Sequence, residues 1–247
     1  MILRSDETQD IAIAGGGMMR LHLFRPAMDG RFPGVLLFSE IYQVTAPIRR
    51  LAAMLAGNGY VVAVPEVYHE YEPAGTVLAY DQAGTDRGNA LKFTKPIASY
   101  DADAHAGLTE LAAHPACNGQ LATFGVCLGG HLAYRAALDP RVKAAACFYA
   151  TDVHSGSLGE GRSDDSLARM AELKAEAMFV WGRQDPHVPF EGREIIRARL
   201  EAVGASYEWH EVNGQHAFLR DEGPRYDPAL FLQAIGWTLA LFQRALR

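Results

Sequence analysis

Leu121-Ala-Thr-Phe-Gly125-Val-Cys127-Leu-Gly129-Gly130-His-Leu-Ala-Tyr-Arg-Ala-Ala-Leu138 places a short apolar run, a glycine-bracketed turn and a helical stretch in immediate succession. Leu121–Phe124 reads as a buried strand and Gly129–Leu138 as a helix. Between them, Gly125-Val-Cys127-Leu-Gly129 has the G-x-nucleophile-x-G spacing of a nucleophile elbow, in the strand–turn–helix context that the motif requires. So sharp a turn tolerates little side chain on either flank, hence Gly125 and Gly129. It also lifts Cys127 above the sheet edge at a helix N-terminus, where the dipole and free backbone N–H groups favour a thiolate.

Working outward, the same alternation covers the chain. Gly34–Phe38 and Tyr60–Val64 are short apolar runs, hence buried strands. Between them Ile48, Leu51, Ala52 and Leu55 share one helical face, with Thr45 as the expected cap, Pro47 in the first turn and Gly57-Asn-Gly59 as the stop. Strand, helix and strand within so short a span make a βαβ unit and a parallel sheet. Ile97–Ala113 reads as a helix, Lys143–Ala150 as a strand, Ala177–Trp181 as a strand, Glu191–Val203 as a helix and Tyr207–Val212 as a strand. Asp227-Pro228 opens a last helix. At the N-terminus, Asp10–Ala14 and Met18–Phe24 around Gly15-Gly-Gly17 read as a β-hairpin. The expected fold is therefore α/β, a doubly wound, mostly parallel sheet with helices on both faces, in one domain over residues 1–247. Two polar stretches, Tyr68–Leu91 and Thr151–Ala171, read as excursions over a site.

Composition excludes several classes. The 247 residues are 49% hydrophobic and 21% charged, a globular balance, and a net charge of −6 lacks the basic field of a general nucleic-acid binder. Three cysteines argue against a disulfide framework and suit a reducing, cytoplasmic setting. Asp6, Glu7 and Asp10 precede any apolar stretch, unlike a signal peptide, and no uninterrupted apolar run is long enough for a membrane span. The triple glycine lacks the GxGxxG spacing, since position 20 is Arg.

The chain order supplies partners for Cys127. Asp185, in Trp181-Gly-Arg-Gln-Asp185-Pro186, follows a buried strand, and His216, in Gly214-Gln-His216-Ala-Phe218, follows the next. Nucleophile, acid and histidine in that order, all at strand C-terminal ends, form the constellation of an α/β-hydrolase. His216 would take the thiol proton and later protonate a leaving group, with Asp185 fixing its tautomer. Asp152, after the preceding strand, is a rival acid. Glu40, two residues past Gly34–Phe38, lies in the loop that normally contributes an oxyanion-hole N–H. A carboxylate there disfavours a thiolate, and a solvated loop residue is the other reading.

With these motifs in hand, the sequence resembles the dienelactone hydrolase (carboxymethylenebutenolidase) family. The matching stretches are Ser39-Glu40-Ile41-Tyr42, Pro65-Glu66-Val67-Tyr68, Gly125-Val-Cys-Leu-Gly-Gly130, Trp181-Gly-Arg-Gln-Asp185 and His216-Ala-Phe-Leu-Arg220. The resemblance implies a Cys127–His216–Asp185 triad acting through a thioester, and a Glu40 that holds the resting thiol, accepts its proton when substrate enters and swings away. It also implies Ile41 and Leu128 backbone N–H groups as the oxyanion hole. Arg220 and Arg87 would hold a substrate carboxylate, Tyr68 would line the pocket, and the chain would act on a lactone or small carboxylate-bearing ester. The expected partner is a small, anionic molecule, with no nucleic acid, membrane, metal or organic cofactor, in a monomer or small homo-oligomer. A general carboxylesterase or lactonase, and a non-catalytic scaffold, are the alternatives. His22, His105, His114, His131, His154, His187 and His210 show no metal spacing. His69-Glu70 is a possible pocket wall, Cys117 reads as a loop residue, and Cys147 as core.

Overall fold

In a computed structural model, which describes residues 2–247 apart from the side chain of Asp6, the predicted runs join in one eight-stranded sheet. The strands are β1 (Leu3–Ala12), β2 (Met18–Pro26), β3 (Phe32–Phe38), β4 (Val61–Pro65), β5 (Cys117–Val126), β6 (Val142–Phe148), β7 (Glu176–Gly182) and β8 (Tyr207–Val212). Their order is β1-β2-β4-β3-β5-β6-β7-β8. From β4 to β8 every pairing is parallel, and only the N-terminal hairpin and its junction with β4 run antiparallel.

Period-two alternation divides the core between two faces. Leu36 and Phe38 pack with α3 (Ile97–Ala113), α4 (Leu128–Ala136) and α6 (Phe190–Ala202). Val35 and Leu37 pack with α1 (Ala46–Gly57) and α7 (Pro228–Ala245). The hairpin adds a satellite cluster of Ile11, Ile13, Met19 and Leu21 against α3. Asp227 caps α7 as expected, accepting from the N–H groups of Ala229 and Leu230 at 3.0 Å. Among the described residues no helix is long and apolar enough to cross a membrane.

Several local expectations change. The first hairpin strand starts at Leu3 rather than Asp10, because its polar residues pair across the hairpin: Arg20 with Asp10 at 2.7 Å and Arg25 with Glu7 at 2.9 Å. Cys117 opens β5 opposite Phe32 and is buried, so it is a strand residue and not a loop residue. Thr45 precedes α1 without a side-chain cap bond; its hydroxyl binds the Tyr80 hydroxyl at 2.7 Å instead. The polar segment from Tyr68 contains α2 (Gln82–Thr94), capped by Asp81 on Gly84 N–H at 2.7 Å. The second polar segment, after β6, holds the short helix α5 (Ser166–Arg169) and single 3-10 turns at Glu160–Arg162 and Met170–Glu172.

Helix α2 reaches the β3–α1 loop because Gly88 has no side chain. A Cβ there would stand 2.5 Å from the Ile41 carbonyl oxygen, closer than any real carbon contact, so backbone must move. We expect Gly88→Ala to cost about 1–3 kcal/mol of stability by overpacking. Gly57→Ala, where a Cβ meets nothing within 4 Å, serves as the control. Urea unfolding of both variants checks this; equal midpoints would refute the close-packing account.

Candidate active site

The elbow is formed as the sequence implies. Cys127 sits between β5 and α4 at φ 59°, a left-handed conformation that costs a non-glycine residue of order 1–3 kcal/mol. The surrounding backbone holds it there. Its N–H donates to Phe148 O at 3.1 Å, and its carbonyl accepts the N–H groups of Gly130 at 3.0 Å and Thr151 at 3.3 Å. Neither flanking glycine can carry a side chain: a Cβ on Gly125 would lie 1.8 Å from Gly129 O, and one on Gly129 would lie 2.1 Å from Phe38 O. Leu128 is the first residue of α4, so its N–H has no carbonyl four residues back to bind.

Asp185 and His216 lie in the loops after β7 and β8. These loops approach closely because Gly182 is bare; a Cβ there would stand 2.4 Å from Gly214 O. His216 Nδ1 donates to Asp185 Oδ2 at 2.7 Å, and Asp185 Oδ1 accepts the His187 N–H at 2.8 Å. Both side chains are buried, at 6% and 4% exposure, and the His216 ring lines the same cavity as the Cys127 sulfur. Burial works against a charged His216 ring. The neighbouring Cys127 sulfur and the Asp185 carboxylate outweigh it and push the ring up to about 10. Burial also opposes the Asp185 charge, but His216 and the His187 N–H hold its carboxyl below the usual range. The ring of His187 stands edge-on to that of His216 at 4.5 Å; its own burial and the His216 charge keep it lower than an ordinary histidine. The rival acid, Asp152, is bound to Lys92 Nζ at 2.9 Å instead.

Glu40 is 3% exposed. Its Oε2 accepts from the Tyr80 hydroxyl at 3.2 Å and lies 3.7 Å from the Arg220 guanidinium. Thr45 donates in turn to Tyr80, so the residue expected to cap α1 belongs to this chain. Burial raises Glu40 above the carboxylate range, and Arg220, His216 and Tyr80 offset part of that rise. Among the described residues no hydrogen bond joins Glu40 to the Cys127 sulfur, which faces His216. Arg220 lies over the Tyr80 ring, 4.3 Å from its centroid.

Cys127, His216, Glu40, Ile41 and Arg220 line one cavity of about 180 Å³. Two expected wall residues are elsewhere. Arg87 is 49% exposed and binds Glu72 at 2.6 Å, on the face of α2 turned from the cavity. Tyr68 is fully buried behind it, its hydroxyl on Gly88 O at 3.2 Å. His69 pairs with Asp103 at 2.9 Å, outside the cavity. With Glu70 these two bring ligand atoms within 4.8 Å of one another, but the Lys95 ammonium already sits on both carboxylates. Thr85, Asn89 and Lys92, one face of α2, form the wall instead, and Arg225 joins from the loop before α7. The i, i+4, i+7 spacing of those three was the available signal; Tyr80, His187 and Arg225 carried none.

The His216 balance has a consequence in solution. A ring held up to about 10 in the folded state, against 6.5 when unfolded, stabilises fully below 6.5, and that contribution disappears as pH rises toward 10. NMR titration should find the His216 ring charged and unchanging between about pH 6 and 8, where an unperturbed histidine titrates. A midpoint near 6.5 would contradict this balance between burial and the Cys127 and Asp185 neighbours.

Comparison with known proteins agrees with this architecture. The dienelactone hydrolase family model matches residues 19–246. A Saccharomyces cerevisiae protein provisionally named carboxymethylenebutenolidase is 40% identical, covering 100% of this chain and 94% of its own. The carboxymethylenebutenolidase of Pseudomonas sp. strain P51 is 30% identical over 96% of this chain and 95% of its own. A crystal structure of a provisionally named dienelactone hydrolase from Klebsiella pneumoniae superposes with a TM-score of 0.82 at 25% identity, covering 99% of this chain and 100% of that one. Brefeldin A esterase shares the fold, with a TM-score of 0.70. With a strand-borne elbow, a sheet of this order and a family match over nearly its full length, the chain belongs to the dienelactone hydrolase family of carboxylic ester hydrolases.

Proposed function

We propose that this chain hydrolyses lactones or small esters that carry a carboxylate, using Cys127 as nucleophile. The observation that carries the reading is the Asp185–His216 hydrogen bond at 2.7 Å, with the His216 ring on the same cavity as the Cys127 sulfur of the elbow. The sulfur attacks the ester carbonyl carbon, and the charge passes to the carbonyl oxygen. The N–H groups of Ile41 and Leu128 are the donors for that oxygen. As the tetrahedral species collapses, the ester C–O bond breaks, a thioester forms on Cys127, and the imidazolium of His216 gives its proton to the leaving oxygen. The ring, now neutral, takes a proton from water as the water oxygen adds to the thioester carbon. The thiolate leaves, and the thiolate–imidazolium pair is restored along with the hydrolysed acid. Asp185 keeps Nδ1–H directed at itself, leaving Nε2 for both transfers.

Arg220 and Glu40 tie this chemistry to substrate charge. Arg220 is the counter-ion of a buried Glu40. A substrate carboxylate on Arg220 removes that counter-ion, and burial then raises the proton affinity of Glu40 further. Glu40 thereby becomes a better proton acceptor beside the elbow once an anionic substrate is bound, which couples the nucleophile to substrate charge.

The nucleophile is tested by Cys127→Ala, which should lose at least about 10³-fold in kcat because the covalent step is gone. Asp185→Asn should cost far more activity than Asp152→Asn, since only the former would hold the wrong imidazole tautomer. A reversed ranking would move the acid to the strand before. Substrate class is tested with a panel of carboxylate-bearing lactones and neutral p-nitrophenyl esters. Arg220→Ala should raise KM for the anionic members about ten-fold or more, as loss of a charge-assisted pair does, and change the neutral ones much less. Equal losses on both would favour a general esterase.

A further inference from the structure

We infer that Arg225, and not Arg87, is the second guanidinium that holds the substrate carboxylate. The inference rests on the reading of the site as one for anionic esters. Arg220 and Arg225 leave the same loop. Its ends are tied by Asp227 N–H to Phe218 O at 3.1 Å, and its first turn by Arg220 N–H to Ala217 O at 3.0 Å. That closure brings both side chains to the cavity that holds Cys127 and His216. At about 180 Å³ the cavity is small enough that one bound molecule meets all of its walls.

The cations of the cavity differ in what balances them. Lys92 is on Asp152 at 2.9 Å, and Arg220 is beside Glu40 at 3.7 Å. Arg225 is half-buried, yet among the described residues no carboxylate lies within ion-pairing distance of it and no side chain accepts from it. A guanidinium partly removed from water without an internal counter-ion is unfavourable unless something external supplies the charge. It lines the same cavity as Glu40, His187 and Cys127. A carboxylate offers two oxygens and about four lone-pair sites, enough to serve Arg220 and Arg225 together. Arg87, by contrast, is half exposed and already occupied by Glu72.

Steady-state kinetics on a carboxylate-bearing lactone and on neutral p-nitrophenyl acetate test this with Arg225→Gln, Arg225→Lys, Arg87→Gln and Arg220→Ala. The expected result for Arg225→Gln is a KM for the anionic lactone about ten-fold higher, with kcat within about two-fold and little change toward the neutral ester. Arg225→Lys should recover part of the loss, because it retains the charge without the fork. Arg87→Gln should leave KM for both substrates as it was. An unchanged lactone KM in Arg225→Gln, beside a raised one in Arg220→Ala, overturns the assignment of Arg225 and leaves the anionic-ester reading standing. Equal losses on lactone and neutral ester in Arg225→Gln also overturn it. An unchanged lactone KM in Arg220→Ala as well would remove the carboxylate site altogether.

Discussion

Gly129 passes the end of β3 so closely that a Cβ on it would stand 2.1 Å from the Phe38 carbonyl oxygen, and one on Gly125 would run into Gly129 itself. Bare backbone is what lets β3, β5 and the start of α4 meet at that spacing. Everything chemical in the molecule follows from that contact. It sets Cys127 at the mouth of the elbow and brings the Glu40–Ile41 loop beside it. Gly88 repeats the device where α2 closes on Ile41, and Gly182 repeats it where the loops of Asp185 and His216 touch. The ends of five parallel strands can therefore share a cavity of about 180 Å³.

Within so small a volume the charges are not independent. Burial drives Glu40 toward its neutral form while Arg220 draws it back, and burial opposes the His216 cation while the sulfur and Asp185 sustain it. At the low effective dielectric of such a site, a change in one pair is felt by the others. A ligand anion that competes for Arg220 would thus change the balance on Glu40. Thr45 and Tyr80 hold the Glu40 carboxylate in the position from which this coupling operates.

Much of this was legible in one dimension. The elbow, the order of Cys127, Asp185 and His216, and the alternation of buried runs with amphipathic helices depend on spacing along the chain, which sequence records directly. Where the expectation failed, the deciding partner was remote. The first hairpin strand, expected from Asp10, begins at Leu3 because Glu7 finds Arg25 across the hairpin. Thr45 has the identity of a cap, but Tyr80 competes for its hydroxyl. Cys117 beside Pro115 looks like a loop until Phe32 pairs with it.

The sequence by itself determined the fold class and the chain order of Cys127, Asp185 and His216 at the strand ends, because a glycine-bracketed turn and a two-residue or 3.6-residue repeat impose their geometry locally. Only the tertiary structure decided which charged side chains reach the cavity. A guanidinium lies on a flexible arm several bonds long, so Arg87 and Arg225 are equivalent as letters. They differ because Glu72 holds one of them outside the cavity, and because the tie between Asp227 and Phe218 brings the other into it.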